Sequence, residues 1–150
     1  MLEATKSGPF ARRYDITVDG RPVASWSQTL WRSGGDIVLA GDAYRVDAAR
    51  FSNRFTMTDQ AGRVVASAEK VGRRRWTMVA DGRTHGFRRD SIWSYRQDLM
   101  LGDNSVGFIR RTGIWNARIE ADLPTLSHPA QVFLVGVMVT TWDREASSAG

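Results

Sequence analysis

The chain has 150 residues, no cysteine, 42% hydrophobic residues and a formal charge of +5. A domain of this length can bury a core without disulfides or a structural metal, and the lack of cysteine excludes disulfide frameworks, thiolate zinc sites and thiol nucleophiles together. The calculated pI near 10.4 favours anionic partners, although every cationic side chain except Lys6 and Lys70 is arginine, and compositional bias or plain solubility would give the same excess.

Met1 to Phe10 has no basic stretch followed by an apolar run and does not read as a signal peptide. Residues 1–9 are expected to be a loose N-terminus. From Arg12 to Ala121 the chain repeats short runs of alternating apolar and polar residues closed by glycine turns, which is the pattern of antiparallel strands and hairpins. In Arg13 to Val18, Tyr14, Ile16 and Val18 share one face and Arg13, Asp15 and Thr17 the other. The stretch from Ser33 to Ala49 is the least clearly patterned. Further on, Trp76 shares a face with Met78 and Ala80. Trp93, Tyr95, Leu99 and Leu101 form another such set, as do Trp115, Ala117, Ile119 and Ala121 opposite Asn116, Arg118 and Glu120.

Asp19-Gly20, Asp81-Gly82 and Thr112-Gly113 read as two-residue links that tolerate positive φ, with longer links at Asp59 to Gly62 and Gly102 to Asn104. Gly20-Arg-Pro-Val23-Ala24, Gly62-Arg-Val-Val65-Ala66 and Asp103-Asn-Ser-Val106-Gly107 each open a strand, with tryptophan following at Trp31, Trp76 and Trp115. These are similar hairpin modules and not a solenoid repeat. The count is about ten to twelve strands in a meander.

After Leu123-Pro124 the pattern changes. Ser127-His128-Pro129 can cap and start a helix, and Ala130 to Trp142 is apolar nearly all round. A helix with no polar face must be buried on every side. A central strand is the rival reading, given the valines and Gly136. The longest apolar run, Val132 to Val139, is well short of the roughly 20 residues that span a bilayer, so the chain is expected to be soluble and cytoplasmic, at most peripheral at a membrane. Residues 143–150 are expected as a loose C-terminus. A sheet of this size tends to close, and one buried helix would fill it: the predicted fold is a single mostly β domain, a closed antiparallel barrel around a hydrophobic C-terminal α-helix.

Several segments together resemble the tubby C-terminal-like superfamily, in particular its LURP-one-related branch, with phospholipid scramblases as cousins. They are the Gly-x-x-Val-Ala openings at Gly20 and Gly62, the Val106-Gly107-Phe108-Ile109 strand, and the terminal block from Ala121-Asp-Leu-Pro124 through Gln131-Val-Phe-Leu134 to Trp142-Asp-Arg144. The resemblance spans nearly the whole chain in pattern and order. It implies a barrel enclosing a C-terminal helix, and association with phosphoinositides or membranes. The basic lipid-binding residues of tubby proteins have no position-by-position match here, and the scramblases' membrane-spanning extension is missing, so scrambling is not expected.

No catalytic signature is present. Gly102-Asp-Asn-Ser105-Val-Gly107 has one residue too many for a nucleophile elbow, and phosphate loops and dinucleotide fingerprints are absent. His85 and His128 read as surface or capping residues, Glu120 with Asp122 as solvated charge, and Asp98, Asp103 and Asp122 lack calcium-loop spacing. The chain is expected to be a non-enzyme without metal or cofactor. Because successive hairpins alternate between barrel ends, Asp59, Asp81 and Asp103 turn at one end. Arg73, Arg74, Arg75, Arg88, Arg89, Arg110 and Arg111 gather at the other, joined by Arg12, Arg13, Arg32, Arg50 and Arg54. This basic rim is the candidate site for an anionic membrane surface, a phospholipid head group or a phosphorylated ligand, against the plainer reading that charged strand ends shield the rim. Nucleic acid fits less well, since Trp76 reads as core and no RNP-like motif is present. A carrier of an apolar ligand would need an empty interior.

Burial of the apolar segment has a direct test. Val135→Asp should unfold the protein, because an unpaired buried charge costs several kcal/mol; a thermal melt like that of the wild type would count against burial.

Overall fold

The computed structural model describes residues 1–8, 12–29, 33–49, 53–91, 95–113 and 117–149. Twelve strands precede one helix: β1 (Leu2–Lys6), β2 (Arg13–Val18), β3 (Arg21–Gln28), β4 (Gly34–Leu39), β5 (Asp42–Ala48), β6 (Phe55–Thr58), β7 (Val64–Glu69), β8 (Arg75–Ala80), β9 (Arg83–Arg89), β10 (Arg96–Leu101), β11 (Asn104–Thr112), β12 (Arg118–Asp122) and α1 (His128–Ala149). Each strand pairs antiparallel with its chain neighbours, and β1 also pairs with β12, so the sheet closes into a barrel. Closure leaves no edge strand with unpaired backbone groups.

The alternation sorts the side chains as the sequence pattern requires. Ile16, Trp26, Ile37, Val46, Met57, Met78, Leu99, Ile109 and Ile119 point inward and are buried. Trp76, Met78 and Ala80 share that inner face, and Trp76 stacks on Phe87 with ring centroids 4.5 Å apart. The stretch from Ser33 to Ala49 holds β4 and β5, joined at Ala40-Gly41, where both residues have positive φ.

α1 occupies the interior. Its 22 residues give a rod of about 33 Å, and every side chain from Val132 to Val139 is at most 2% exposed. The strand alternative fails for a physical reason: a helix satisfies its backbone within itself, whereas a strand enclosed by a closed barrel would leave its N–H and C=O groups without partners. Two buried threonines at the distal half behave accordingly, Thr140 donating to the Gly136 carbonyl at 2.9 Å and Thr141 to that of Val137 at 2.8 Å. Ser127 caps the N-terminus, accepting from Ala130 N–H at 3.4 Å, and is itself held by Asp81 of the β8–β9 turn through its hydroxyl at 2.5 Å and its amide at 3.0 Å.

Gly136 has a packing role. A Cβ there would lie 2.6 Å from the Trp26 ring, and one at Gly35 of β4 would lie 2.7 Å from the same ring. The indole therefore fills a slot left by two missing side chains, one on the helix and one on the wall.

Four expectations need correction. Residues 1–9 are not a loose end throughout, because Leu2 and Ala4 are buried and β1 supplies the strand that closes the barrel. The C-terminal residues expected to be loose continue α1 through Ala149, since Asp143 and Glu145 find partners on the wall. Thr112-Gly113 is not a two-residue link: β11 runs through Thr112, β12 starts at Arg118, and of the pair Gly113 alone takes positive φ. Leu101 does not share the burial of Leu99, because a register shift follows Leu99 and the strand then runs out into the Gly102-Asp103 turn, leaving Leu101 72% exposed. Trp31, Trp93, Trp115 and Asn116 lie outside the described residues.

The slot predicts a sign reversal. Gly136→Ala should gain about 1 kcal/mol in helix propensity yet destabilise overall, because overpacking costs about 1–3 kcal/mol. Combining it with Trp26→Phe should recover part of the loss. Urea unfolding of the two single variants and the double variant checks this, and strictly additive effects would exclude the wedge.

Candidate functional site: the arginine end

The closed meander puts the links after β2, β4, β6, β8 and β10 at one end of the barrel and those after β1, β3, β5, β7, β9 and β11 at the other. Asp59, Asp81 and Asp103 are at the first end, as expected. Asp59 accepts the amides of Arg63 at 3.0 Å and Ala61 at 2.9 Å; these bonds, that of Arg63 foremost, hold its carboxyl below the ordinary value. α1 enters at this end and finishes at the other, among the arginines.

The pleat divides the candidate arginines by face. Arg89, at the inward register of β9, reaches α1 and donates to the Glu145 carboxylate; Arg111 lies 3.9 Å from Asp143 and over the Tyr95 ring. Gln28 donates to Asp143 at 3.3 Å. A helix C-terminus favours cations, yet α1 carries no basic residue in its last turn, so wall arginines supply the positive charge. The same surroundings act on Tyr14, whose phenol is pushed above its ordinary value by burial first and by the Asp143 charge second, with Arg111 opposing. Tyr95 also meets Trp142 edge-on, with centroids 6.0 Å apart.

Arg110 points outward and is bound by Glu120 at 2.8 and 3.0 Å. It belongs to a ladder on the outer wall in which Arg96 holds Asp98 at 3.0 Å, Arg118 holds Glu3, and Arg96 and Arg110 flank the Phe108 ring. Asp98, considered above for calcium, is buried in this ladder and also accepts from Ser105 at 3.3 Å.

Arg75 and Arg88 also point outward and are directly opposite each other in the β8–β9 register. Arg73 and Arg74 lie in the preceding link. Among the described residues none of these four has an ion-pair partner. Arg74 and Arg89 together line a pocket of about 250 Å³ with Asp90 and Ser91, and the buried Nε of Arg89 finds no acceptor among the described residues. Of the outlying candidates, Arg13 pairs with Asp15 at 3.0 Å and Arg54 with Glu69 at 3.3 Å. Arg12 lines a polar pocket with Gln28, Thr140, Asp143 and Arg144. Arg32 and Arg50 lie outside the described residues.

The structure thus separates helix-holding arginines (Arg89, Arg111), a wall arginine (Arg110) and an uncompensated group (Arg73, Arg74, Arg75, Arg88). Sequence reasoning missed Asp143 and Glu145. Their signal was two carboxylates directly following an apolar helix whose end they would share.

His85 is a correction: it is buried, with Nε2 3.2 Å from the Ala80 carbonyl, and is neither surface nor cap. His128 opens α1 and is exposed. Among the described residues no group of three metal-ligating side chains comes together, and no helix is long and apolar enough to cross a membrane. Comparison with family models, with curated proteins and with solved structures returned no match.

The division predicts unequal costs. Arg89→Gln should lower stability by about 1 kcal/mol, discounted for the partial exposure of Glu145, while Arg73→Gln should stay within about 0.5 kcal/mol of the wild type. Urea midpoints measure both, and equal effects would contradict the division.

Proposed function

We propose that the protein is a non-catalytic binding module whose basic rim takes an anionic phosphate, presented by a lipid head group or by a soluble phosphorylated ligand. The observation that carries this reading is the group of rim arginines Arg73, Arg74, Arg75 and Arg88, none of which has an ion-pair partner among the described residues, with Arg74 lining a rim pocket of about 250 Å³. Guanidinium forks match phosphate oxygens in geometry and charge.

Membership of the tubby C-terminal-like superfamily, and of its LURP-one-related branch, is part of the proposal. A twelve-stranded barrel with a C-terminal helix inside is the architecture which that resemblance implies. A cytoplasmic protein that meets membranes only peripherally is the setting that fits it. Two rival readings have less support. Trp76 is buried against Phe87 and offers no free ring beside Arg75 for base stacking. A carrier would need the interior that α1 fills.

Flotation with phosphoinositide-containing vesicles across a salt series tests the proposal, with phosphatidylcholine vesicles as the control and inositol hexakisphosphate titration as the soluble arm. Binding should fall steeply with salt and drop in an Arg73→Gln/Arg74→Gln variant. Binding to the vesicles alone identifies the lipid source, and binding to both identifies phosphate as such. No association in either arm at low ionic strength ends the reading.

A further inference from the structure

The outward face of β8 and β9 differs from the wall beside it. On β10, β11, β12 and β1 each outward arginine is matched to an acid: Arg96 to Asp98, Arg110 to Glu120, Arg118 to Glu3. On β8 and β9, Arg75 and Arg88 are paired with each other in register. Like charges directly opposite across two strands are destabilising. Two acids share that face and both are engaged elsewhere: Asp98, directly opposite Arg88 in the β9–β10 register, is held by Arg96 at 3.0 Å, and Glu69 by Arg54 at 3.3 Å.

The groove that runs from this pair has a volume of about 560 Å³, within the range of about 300–1,000 Å³ usual for small-molecule sites. Its floor is opened by Gly86, which is in register with Thr77 on one side and Met100 on the other. Nothing in the backbone requires glycine there, since its φ is not positive, and a Cβ would meet no atom within 4 Å. Glycine within a strand gives up packing and chain entropy, and where no bulge or turn explains it, close approach of another group is the usual reason. The far end of the groove is apolar: Met100 is half-buried, and Leu101, 72% exposed, is the most exposed large apolar side chain described. Thr77, opposite Gly86, and Thr84 also line it.

We infer that this outer groove binds single molecules of an anionic amphiphile, with a phosphate or sulfate held between Arg75 and Arg88 and an apolar chain or ring lying over Gly86 against Met100 and Leu101. The anion relieves the unmatched cation pair, and the chain covers the exposed leucine, so one ligand answers both anomalies of this face. The inference deepens the anionic-ligand reading by assigning a ligand class, but it rests on the outer groove and not on the pocket of Arg74 and Arg89.

The test is isothermal titration with octyl phosphate below its micelle concentration, with inorganic phosphate and octanol as the two halves of the ligand. Octyl phosphate should bind at least about tenfold more tightly than either half, the gain expected when charge-assisted hydrogen bonds and apolar burial act together. Gly86→Leu, which has room to fold, should reduce that affinity by about tenfold or more while leaving phosphoinositide vesicle binding intact. Arg75→Gln/Arg88→Gln should do the same to octyl phosphate, and a thermal melt confirms that each variant is folded. Equal binding by octanol, equal binding by inorganic phosphate, or unchanged affinity in Gly86→Leu would each overturn the groove site. Vesicle binding lost in Arg73→Gln/Arg74→Gln, with octyl phosphate binding retained, would show that the rim and the groove are separate sites.

Discussion

The structure depends on a steric match at one indole. Trp26 is completely buried and occupies the space that side chains at Gly136 on the helix and Gly35 on the wall would otherwise take. Its N–H has no acceptor among the described residues, so shape and not polar complementarity holds it there. A barrel closed around a single helix has little slack, because interiors are close-packed and every wall position faces the same rod. Where the helix approaches the wall around this buried indole, two glycines make the approach possible.

The ends of the helix add the polar constraints that fix its position along the axis. At the entry, Asp81 in the β8–β9 turn grips both the hydroxyl and the amide of Ser127. At the exit, Asp143 and Glu145 are met by Gln28, Arg111 and Arg89 from three different strands. The Gly136 slot sets which side of the rod meets Trp26, and these terminal contacts add resistance to sliding and rotation. Part of the basic rim is therefore structural, and its chemistry is spent on the helix.

That division sharpens what remains for function. Arginines that neutralise helix carboxylates or complete the outer ladder cannot serve a ligand without a cost to the fold. Among the described residues Arg73, Arg74, Arg75 and Arg88 carry no such obligation; Arg74 lines the small rim pocket, and Arg75 and Arg88 line the outer groove. An enclosed barrel has no interior left to offer, so recognition falls to the ends and outer surface, where loops and outward side chains vary without disturbing the core.

Much of the architecture was legible in the residues. Period-two alternation at Tyr14/Ile16 and Trp76/Met78/Ala80, turn pairs such as Asp19-Gly20, and an apolar segment with no polar face together dictate strands, reversals and a buried rod, because each signal is local and repeats every few residues. Hairpin alternation also determined which end Asp59, Asp81, Asp103 and the described rim arginines occupy. The pairing of β1 with β12, the bulge that exposes Leu101, the packing role of Gly136 and the identity of the arginines held by Asp143 and Glu145 were decided only by the tertiary structure. These features join residues far apart in the chain, such as Arg89 with Glu145 and Trp26 with Gly136, and their partners are set by closure and packing that no local period encodes.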